Sequence, residues 1–205
     1  NLRCEYCMPE EGVPLLSHSD ILSFEEIVEV VKTAVDMGIR KVRLTGGEPL
    51  VRKGLPTLVG MLAAIDGIED LALTTNGQLL ETFAQPLKEA GLHRVNVSLD
   101  TIDADLYRRL TRGGEIKPVI RGLMAAMRAG LSPIKLNCVV QESSGEEEAQ
   151  AVQFFAVQLG LEVRFIRKMD LMAGHFSVVE GGSGGDCPRC NRLRLTANGS
   201  IRPCL

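Results

Sequence analysis

Five of the six cysteines fall into two groups with spacing suited to soft metal centres. Near the start, Asn1-Leu2-Arg3-Cys4-Glu5-Tyr6-Cys7-Met8-Pro9 carries a CxxC pair. Near the end, Cys187-Pro188-Arg189-Cys190 is a second CxxC, with Cys204 following it. Closely spaced thiolates are what zinc and iron–sulfur centres take as ligands. Disulfide staples are the weaker reading, because 205 residues with 45% hydrophobic side chains can bury a core without them. The sixth cysteine, Cys138, sits in the apolar run Lys135-Leu136-Asn137-Cys138-Val139-Val140 and reads as a buried free thiol.

The second group of chemical interest is cationic. Lys41 and Arg43 alternate with Val42, so in a strand they share one face and Val42 takes the other. Arg192 and Arg194 do the same if their segment is extended. Lys135 and Arg164 lie in further strand-like runs. Several cations converging on one cavity are costly without an anionic ligand, and arginine suits phosphate because its planar fork pairs with two oxygens. The bland alternative is a solvated surface. It also covers Arg52 and Lys53, read as solvent-facing, and the Glu146-Glu147-Glu148 run, read as the acidic first turn of a helix. His18 and His93 show no partner in the sequence that would make either a site.

These residues need a frame that positions them, and the pattern between Phe24 and Ile166 supplies one. Helical periodicity runs over 24–37, 55–65, 79–90, 104–110, 117–129 and 146–159, with Ser23 and Glu26 forming a capping box for the first. Strand-like runs fall at 41–45, 71–75, 95–99, 134–140 and 163–166. Such alternation implies an α/β fold with a parallel sheet and right-handed crossovers. Thr45, Thr74, Ser98 and Met169 then mark strand C-terminal ends, the edge where α/β sites are built. After Asp170 the pattern breaks into Gly181-Gly182-Ser183-Gly184-Gly185 and a cysteine-bearing segment with a hairpin around Asn198-Gly199. The expected division is therefore 1–170 for the α/β unit and 171–205 for a cluster-binding segment.

Charge and hydropathy exclude some classes. A formal charge of −3 argues against general attraction to nucleic acid or membrane, no apolar run reaches spanning length, and no signal peptide is visible, so a cytoplasmic protein is expected. A chain that begins at Asn1 is expected to be a fragment or a processed form.

Several motifs together resemble one family. The run from Asn1 to Pro9 resembles the radical S-adenosylmethionine superfamily, whose CxxxCxxC signature would place a further cysteine directly before Asn1. Gly46-Gly47-Glu48-Pro49 after a strand end matches the GGEP motif of the same superfamily. The spacing Cys187-x2-Cys190-x13-Cys204 around Asn191-Arg192-Leu193-Arg194-Leu195-Thr196 resembles the second-cluster segment of the molybdenum-cofactor biosynthesis protein A family, the GTP 3′,8-cyclases. Leu73-Thr74-Thr75-Asn76-Gly77, Asn96-Val97-Ser98-Leu99-Asp100 and Val163-Arg164-Phe165-Ile166 match it as well.

The resemblance implies a partial parallel β/α barrel, two [4Fe–4S] clusters and S-adenosyl-L-methionine. It implies metal ligation by Cys4, Cys7, Cys187, Cys190 and Cys204, and cofactor contacts at Tyr6, Gly46, Gly47, Glu48, Ser98 and Met169. It implies GTP contacts at Lys41, Arg43, Thr74, Lys135, Arg164, Arg192 and Arg194. The implied chemistry is removal of a hydrogen from C3′ of GTP by a 5′-deoxyadenosyl radical, followed by attack on C8 of the guanine. A flavodoxin- or ferredoxin-type reductant, a downstream cyclic pyranopterin monophosphate synthase and a homodimer are the partners to expect.

The chain departs from the family in places. The stretch between Met169 and Cys187 is much shorter than usual, the glycine-rich tail is absent after Leu205, and Arg167-Lys168 stands where an acidic residue is usual. Two other readings stay open at this point. One is a radical enzyme acting on another small molecule or a peptide, with an auxiliary cluster. The other is a non-catalytic iron–sulfur or zinc module, with His175 as the nearest histidine for a fourth zinc ligand.

Overall fold

A computed structural model describes residues 1–9, 12–13, 16–169, 177–182 and 184–203, apart from the side chains of His18 and Cys187. Cys204 and His175 therefore lie outside the described residues. Five parallel strands form one sheet in sequential order: β1 (Lys41–Leu44), β2 (Asp70–Thr75), β3 (Arg94–Ser98), β4 (Ile134–Val140) and β5 (Glu162–Arg167). Six helices connect or flank them: α1 (Phe24–Asp36), α2 (Leu55–Ala63), α3 (Leu80–Glu89), α4 (Ala104–Leu110), α5 (Ile116–Arg128) and α6 (Glu147–Gln158). The sheet is an open part-barrel; β1 and β5 do not pair with each other. A two-stranded antiparallel hairpin, β6 (Arg194–Leu195) and β7 (Ile201–Arg202), stands apart from it.

Side-chain alternation decides what each face of the sheet holds. Leu71, Leu73, Val95, Val97, Leu136, Cys138, Val140 and Phe165 point one way, and with Val59, Leu62, Leu80, Leu87, Val119, Leu123, Val152 and Ala156 they make a single apolar core. Cys138 is a fully buried free thiol there, its ionisation pushed up to about 12, first by burial. Helix ends follow local chemistry. Ser23 and Glu26 close a capping box on α1, and Asp103 accepts the Leu106 N–H at 2.7 Å to start α4.

Two expectations change. Arg52, expected to face solvent, lies 4.7 Å above the Phe24 ring and donates to the Leu22 carbonyl, clasping the α1 entry to the loop after β1. His93 does have a partner: its Nδ1 accepts the Leu71 N–H at 3.0 Å.

Helices α3 and α5 meet across Gly122. A Cβ there would stand 2.9 Å from the Gly77 carbonyl oxygen and 2.9 Å from Leu80 Cβ. Alanine would gain about 1 kcal/mol of helix propensity, but the clash involves backbone and costs about 1–3 kcal/mol. Gly122→Ala is therefore expected to cost a net of about 1 kcal/mol and to lower Tm by about 2–4 °C in a thermal melt. A raised Tm would show that the two helices separate freely.

Candidate active site

The opposite face of the sheet is polar, and strand register sorts it into rows. Lys41 pairs with Asp70; Arg43 with Ala72, and Ala72 with Arg94. Thr74 pairs with Asn96, Asn96 with Lys135, and Lys135 with Glu162. Ser98 pairs with Asn137, and Asn137 with Arg164. Bridge partners in a parallel sheet point the same way, so one face collects Lys41, Arg43, Thr74, Ser98, Lys135 and Arg164. It also collects Asp70, Arg94, Asn96 and Asn137, which sequence reasoning did not single out. Their signal was the same parity that separated Lys41 and Arg43 from Val42.

Positive charge dominates this face. Arg94 grips Asp70 through two parallel bonds, Nε to Oδ1 at 2.7 Å and Nη2 to Oδ2 at 2.5 Å. Lys135 pairs with Glu162. Crowding by protein atoms pulls the Arg43 guanidinium below its ordinary value, and Arg94, Arg164 and Arg192 push the same way. Arg164 is lowered too, first by burial and then by Arg94. Arg192 thus acts on both strand arginines although it belongs to the C-terminal segment. That segment is tied back by the Leu22 N–H donating to the Ala197 carbonyl at 2.8 Å and by an antiparallel bridge between Phe165 and Glu180. Arg194 faces differently: it donates to the Pro203 carbonyl at 3.2 Å, within its own hairpin.

Among the described residues, four buried polar atoms on this face have no hydrogen-bond partner: Arg94 Nη1, Asn96 Oδ1, Asn137 Oδ1 and Arg164 Nε. Buried polar groups are normally satisfied. Four orphans on one face mark it as a surface built to meet a polar ligand.

The cysteine loop sits at the C-terminal end of the strands. Cys7 and Met8 both donate their N–H to the Cys4 carbonyl at 3.1 Å, a tight turn that brings the two thiols together. Burial pushes the Cys4 thiol up to about 12, and Cys7 and Asp100 add to the effect. Tyr6 donates to Asp100 Oδ2 at 2.7 Å, while Asp100 Oδ1 accepts the Val139 N–H at 2.8 Å. The loop is thereby pinned to the ends of β3 and β4. Arg112, in the left-handed region at φ 52, donates to the Arg3 and Met8 carbonyls at 3.0 and 2.9 Å. No motif around Arg112 marks this clamp.

Gly46 and Gly47 face open space where a Cβ would stand, and Gly46 has φ 156, a conformation that favours glycine. Glu48 is turned inward. It is 8% exposed and accepts from the Leu50 N–H at 3.0 Å, the Thr75 hydroxyl at 2.7 Å and the Asn76 N–H at 2.8 Å. Its carboxylate braces the ends of β1 and β2. Met169 is half-buried just past β5.

The donor set fits a thiolate-held cluster as far as the described residues supply one: two soft ligands on one turn. Cys190 is exposed. Among the described residues no three His, Cys, Asp or Glu side chains group around a metal position, and no helix is long and apolar enough to cross a membrane.

Comparison with known proteins gives the same picture. The radical SAM superfamily profile matches residues 1–155. GTP 3′,8-cyclase of Pelotomaculum thermopropionicum is 43% identical over 252 positions, covering 100% of this chain and 78% of that protein. The same-named protein of Moorella thermoacetica is 44% identical over 250 positions, covering 100% and 77%. The first match is 47 positions longer than the 205-residue chain, so that relative carries residues opposite internal gaps in this one. Among solved structures, methylornithine synthase superposes with a TM-score of 0.68 at 19% identity, over 82% of this chain and 50% of that one. Streptococcus suis SuiB bound to S-adenosylmethionine superposes with a TM-score of 0.67 at 18% identity, over 83% and 37%. These two likenesses establish the fold.

The Asp70–Arg94 pair makes a pH-dependent contribution to stability. Hydrogen bonds from Arg94 hold the Asp70 carboxyl below its ordinary 3.8. Its stabilisation is therefore complete above that value and is lost as pH falls through the lowered one. Asp70→Asn is expected to cost about 2 kcal/mol at neutral pH. The Tm gap to wild type should close below pH 3.8. A gap independent of pH would mean that the charge on Asp70 is not what stabilises.

Proposed function

The chain belongs to the radical SAM superfamily and, within it, to the GTP 3′,8-cyclase family, and on that premise we propose that it converts GTP to 3′,8-cyclo-7,8-dihydro-GTP, the first step of molybdopterin synthesis. One observation carries the reading. Lys41, Arg43, Lys135 and Arg164 share the polar face of the sheet with orphaned acceptors, and Arg192 reaches the same field from the C-terminal segment.

Cys4 and Cys7 would hold a [4Fe–4S] cluster as two of its thiolate ligands. The chemistry that such a cluster and S-adenosylmethionine supply when bound is one-electron cleavage to a 5′-deoxyadenosyl radical. The remaining work falls to this chain's own residues. Asp100 fixes Tyr6, and Arg112 fixes the backbone on both sides of the cysteine turn, so the loop enters the reaction already ordered. Gly46 and Gly47 leave their backbone open to a polar group of the cofactor, with Ser98 and Met169 at neighbouring strand ends. Thr74, beside Asn96 at 3.4 Å, offers its hydroxyl to the nucleotide. The cations bind and orient the triphosphate; guanidinium forks suit its oxygens.

A second [4Fe–4S] cluster on Cys187, Cys190 and Cys204, gripping the purine, is part of the proposal, as is a contact from Arg194. A flavodoxin or ferredoxin as reductant, hand-over to a cyclic pyranopterin monophosphate synthase, a cytoplasmic setting and a homodimer complete it.

A second reading keeps the radical chemistry and changes the substrate to another anionic small molecule. The 47 positions by which the first relative's match exceeds the chain favour it, since they remove residues within the matched region.

Anaerobic incubation of the reconstituted chain with GTP, S-adenosylmethionine and dithionite, followed by mass spectrometry, is expected to yield the cyclised nucleotide. Cofactor cleavage with GTP left intact would favour the second reading, and no cleavage at all would remove the catalytic one. Arg192→Ala is expected to lower kcat/KM for GTP about 10- to 100-fold, the value of a charge-assisted hydrogen bond, while GTP-independent cofactor cleavage stays near wild type.

A further inference from the structure

Resting on the nucleotide reading above, we propose that Arg94 is the residue that reads the outermost phosphate of the substrate, with Asp70 as its positioning partner. Arg94 and Arg43 flank Ala72 in one register row. Ala72 is fully buried and small. Two strand spacings put the backbones of the two arginines roughly 10 Å apart, leaving a slot between their heads with only a methyl group at its floor.

The Arg94 side chain is 15% exposed, and two of its three nitrogens are accounted for. Nε and Nη2 are spent on Asp70; Nη1 is buried and has no partner. A plain strut between β2 and β3 would leave nothing over. Here the carboxylate is satisfied and the guanidinium is not. Arg164 Nε is orphaned in the same way, and both residues line one open cavity of about 470 Å³, which Lys135, His93, Asp70 and Glu69 also line and Arg43 does not. That volume is in the range of small-molecule pockets. Neutral ligands would leave Arg43, Arg94 and Arg164 repelling one another; an anion with several oxygens satisfies the orphan N–H groups and the charge at once.

Position selects the outermost phosphate. Arg94 opens β3, whereas Asp100, which holds the cysteine loop, lies six residues on, roughly 20 Å along the strand direction. A nucleotide whose ribose faces the cysteine loop directs the end of its phosphate chain toward Arg94. Asp70 prevents the fork from swinging away when the slot is empty, which lowers the ordering cost on binding.

Equilibrium binding of GTP, GDP and GMP to the full chain tests this without turnover. The wild type is expected to tighten with each added phosphate. Arg94→Gln should erase about tenfold or more of the gain from GDP to GTP and leave GMP unchanged; Arg94→Lys should fall between. Wild-type GTP affinity in Arg94→Gln overturns the proposal, as does an equal loss for GTP and GMP, which would mark Arg94 as a strut. If Arg94→Gln does not fold, the GTP-to-GDP ratio of Arg94→Lys decides by the same criterion. A wild type that binds the adenine series as tightly as the guanine series removes the guanosine reading and leaves the phosphate assignment standing. A wild type indifferent to phosphate number overturns both.

Discussion

The site rests on the two-residue period of five parallel strands. Every odd–even choice along β1 to β5 sends one side chain into the helix-covered core and the next onto the concave face. Because the strands are in sequential order and register, the choices agree from strand to strand. A slip of one residue in β3 would put Arg94, Asn96 and Ser98 among the leucines of α3 and α5 and turn Val95 and Val97 outward. The apolar core therefore does more than stabilise the domain: its own register requirement aligns the polar rows. Gly122 belongs to the same constraint, since close approach of α5 to α3 lets both helices cover the sheet.

The concave face is electrostatically unbalanced within the described residues. Asp70 offsets Arg94 and Glu162 offsets Lys135, while the pKa values of Arg43 and Arg164 are lowered first by burial and then by cationic neighbours. Such an arrangement is poor for stability and good for binding a polyanion. The orphaned atoms of Asn96 and Asn137 extend the same logic to neutral groups, whose partners must come from a ligand or from water. The cysteine loop is the counterpart at the other end of the strands. It holds its shape through Asp100, Arg112 and the α4 terminus, where the Thr111 and Leu110 carbonyls accept from the Arg3 and Glu5 N–H groups at 3.3 and 3.0 Å. Two crowded thiols and a buried carboxylate beside them make that end electron-rich and ready for a cationic centre.

The residues 177–182 and 184–203 connect the two themes. They carry Cys187 and Cys190, two of the three cysteines of the expected second cluster, and through Arg192 they contribute to the field around Arg43 and Arg164. They are tied to the α/β unit by the bridge to Phe165, the bond from Leu22 and the Ser144 hydroxyl, which donates to Glu180 at 2.9 Å. Exposed Phe154 and Val157 on α6 lie next to β5, the edge strand of the open sheet.

Much of this was legible in the sequence because it depends on local rules. The capping box at Ser23, the period of each helix, the alternation of Lys41, Val42 and Arg43, and the hairpin at Asn198-Gly199 all follow from backbone geometry within a few residues. The CxxC and GGEP motifs were legible as a resemblance to the radical SAM superfamily, whose profile matches residues 1–155. The tertiary structure alone decided the rest. It paired Asp70 with Arg94 across two strands, gave Glu48 to Thr75 and Asn76, set Arg52 on Phe24, and used Arg112 to clamp the cysteine turn. Each of these joins residues distant in the chain, and a charged side chain carries no mark of its partner until the fold removes water and leaves one neighbour within reach.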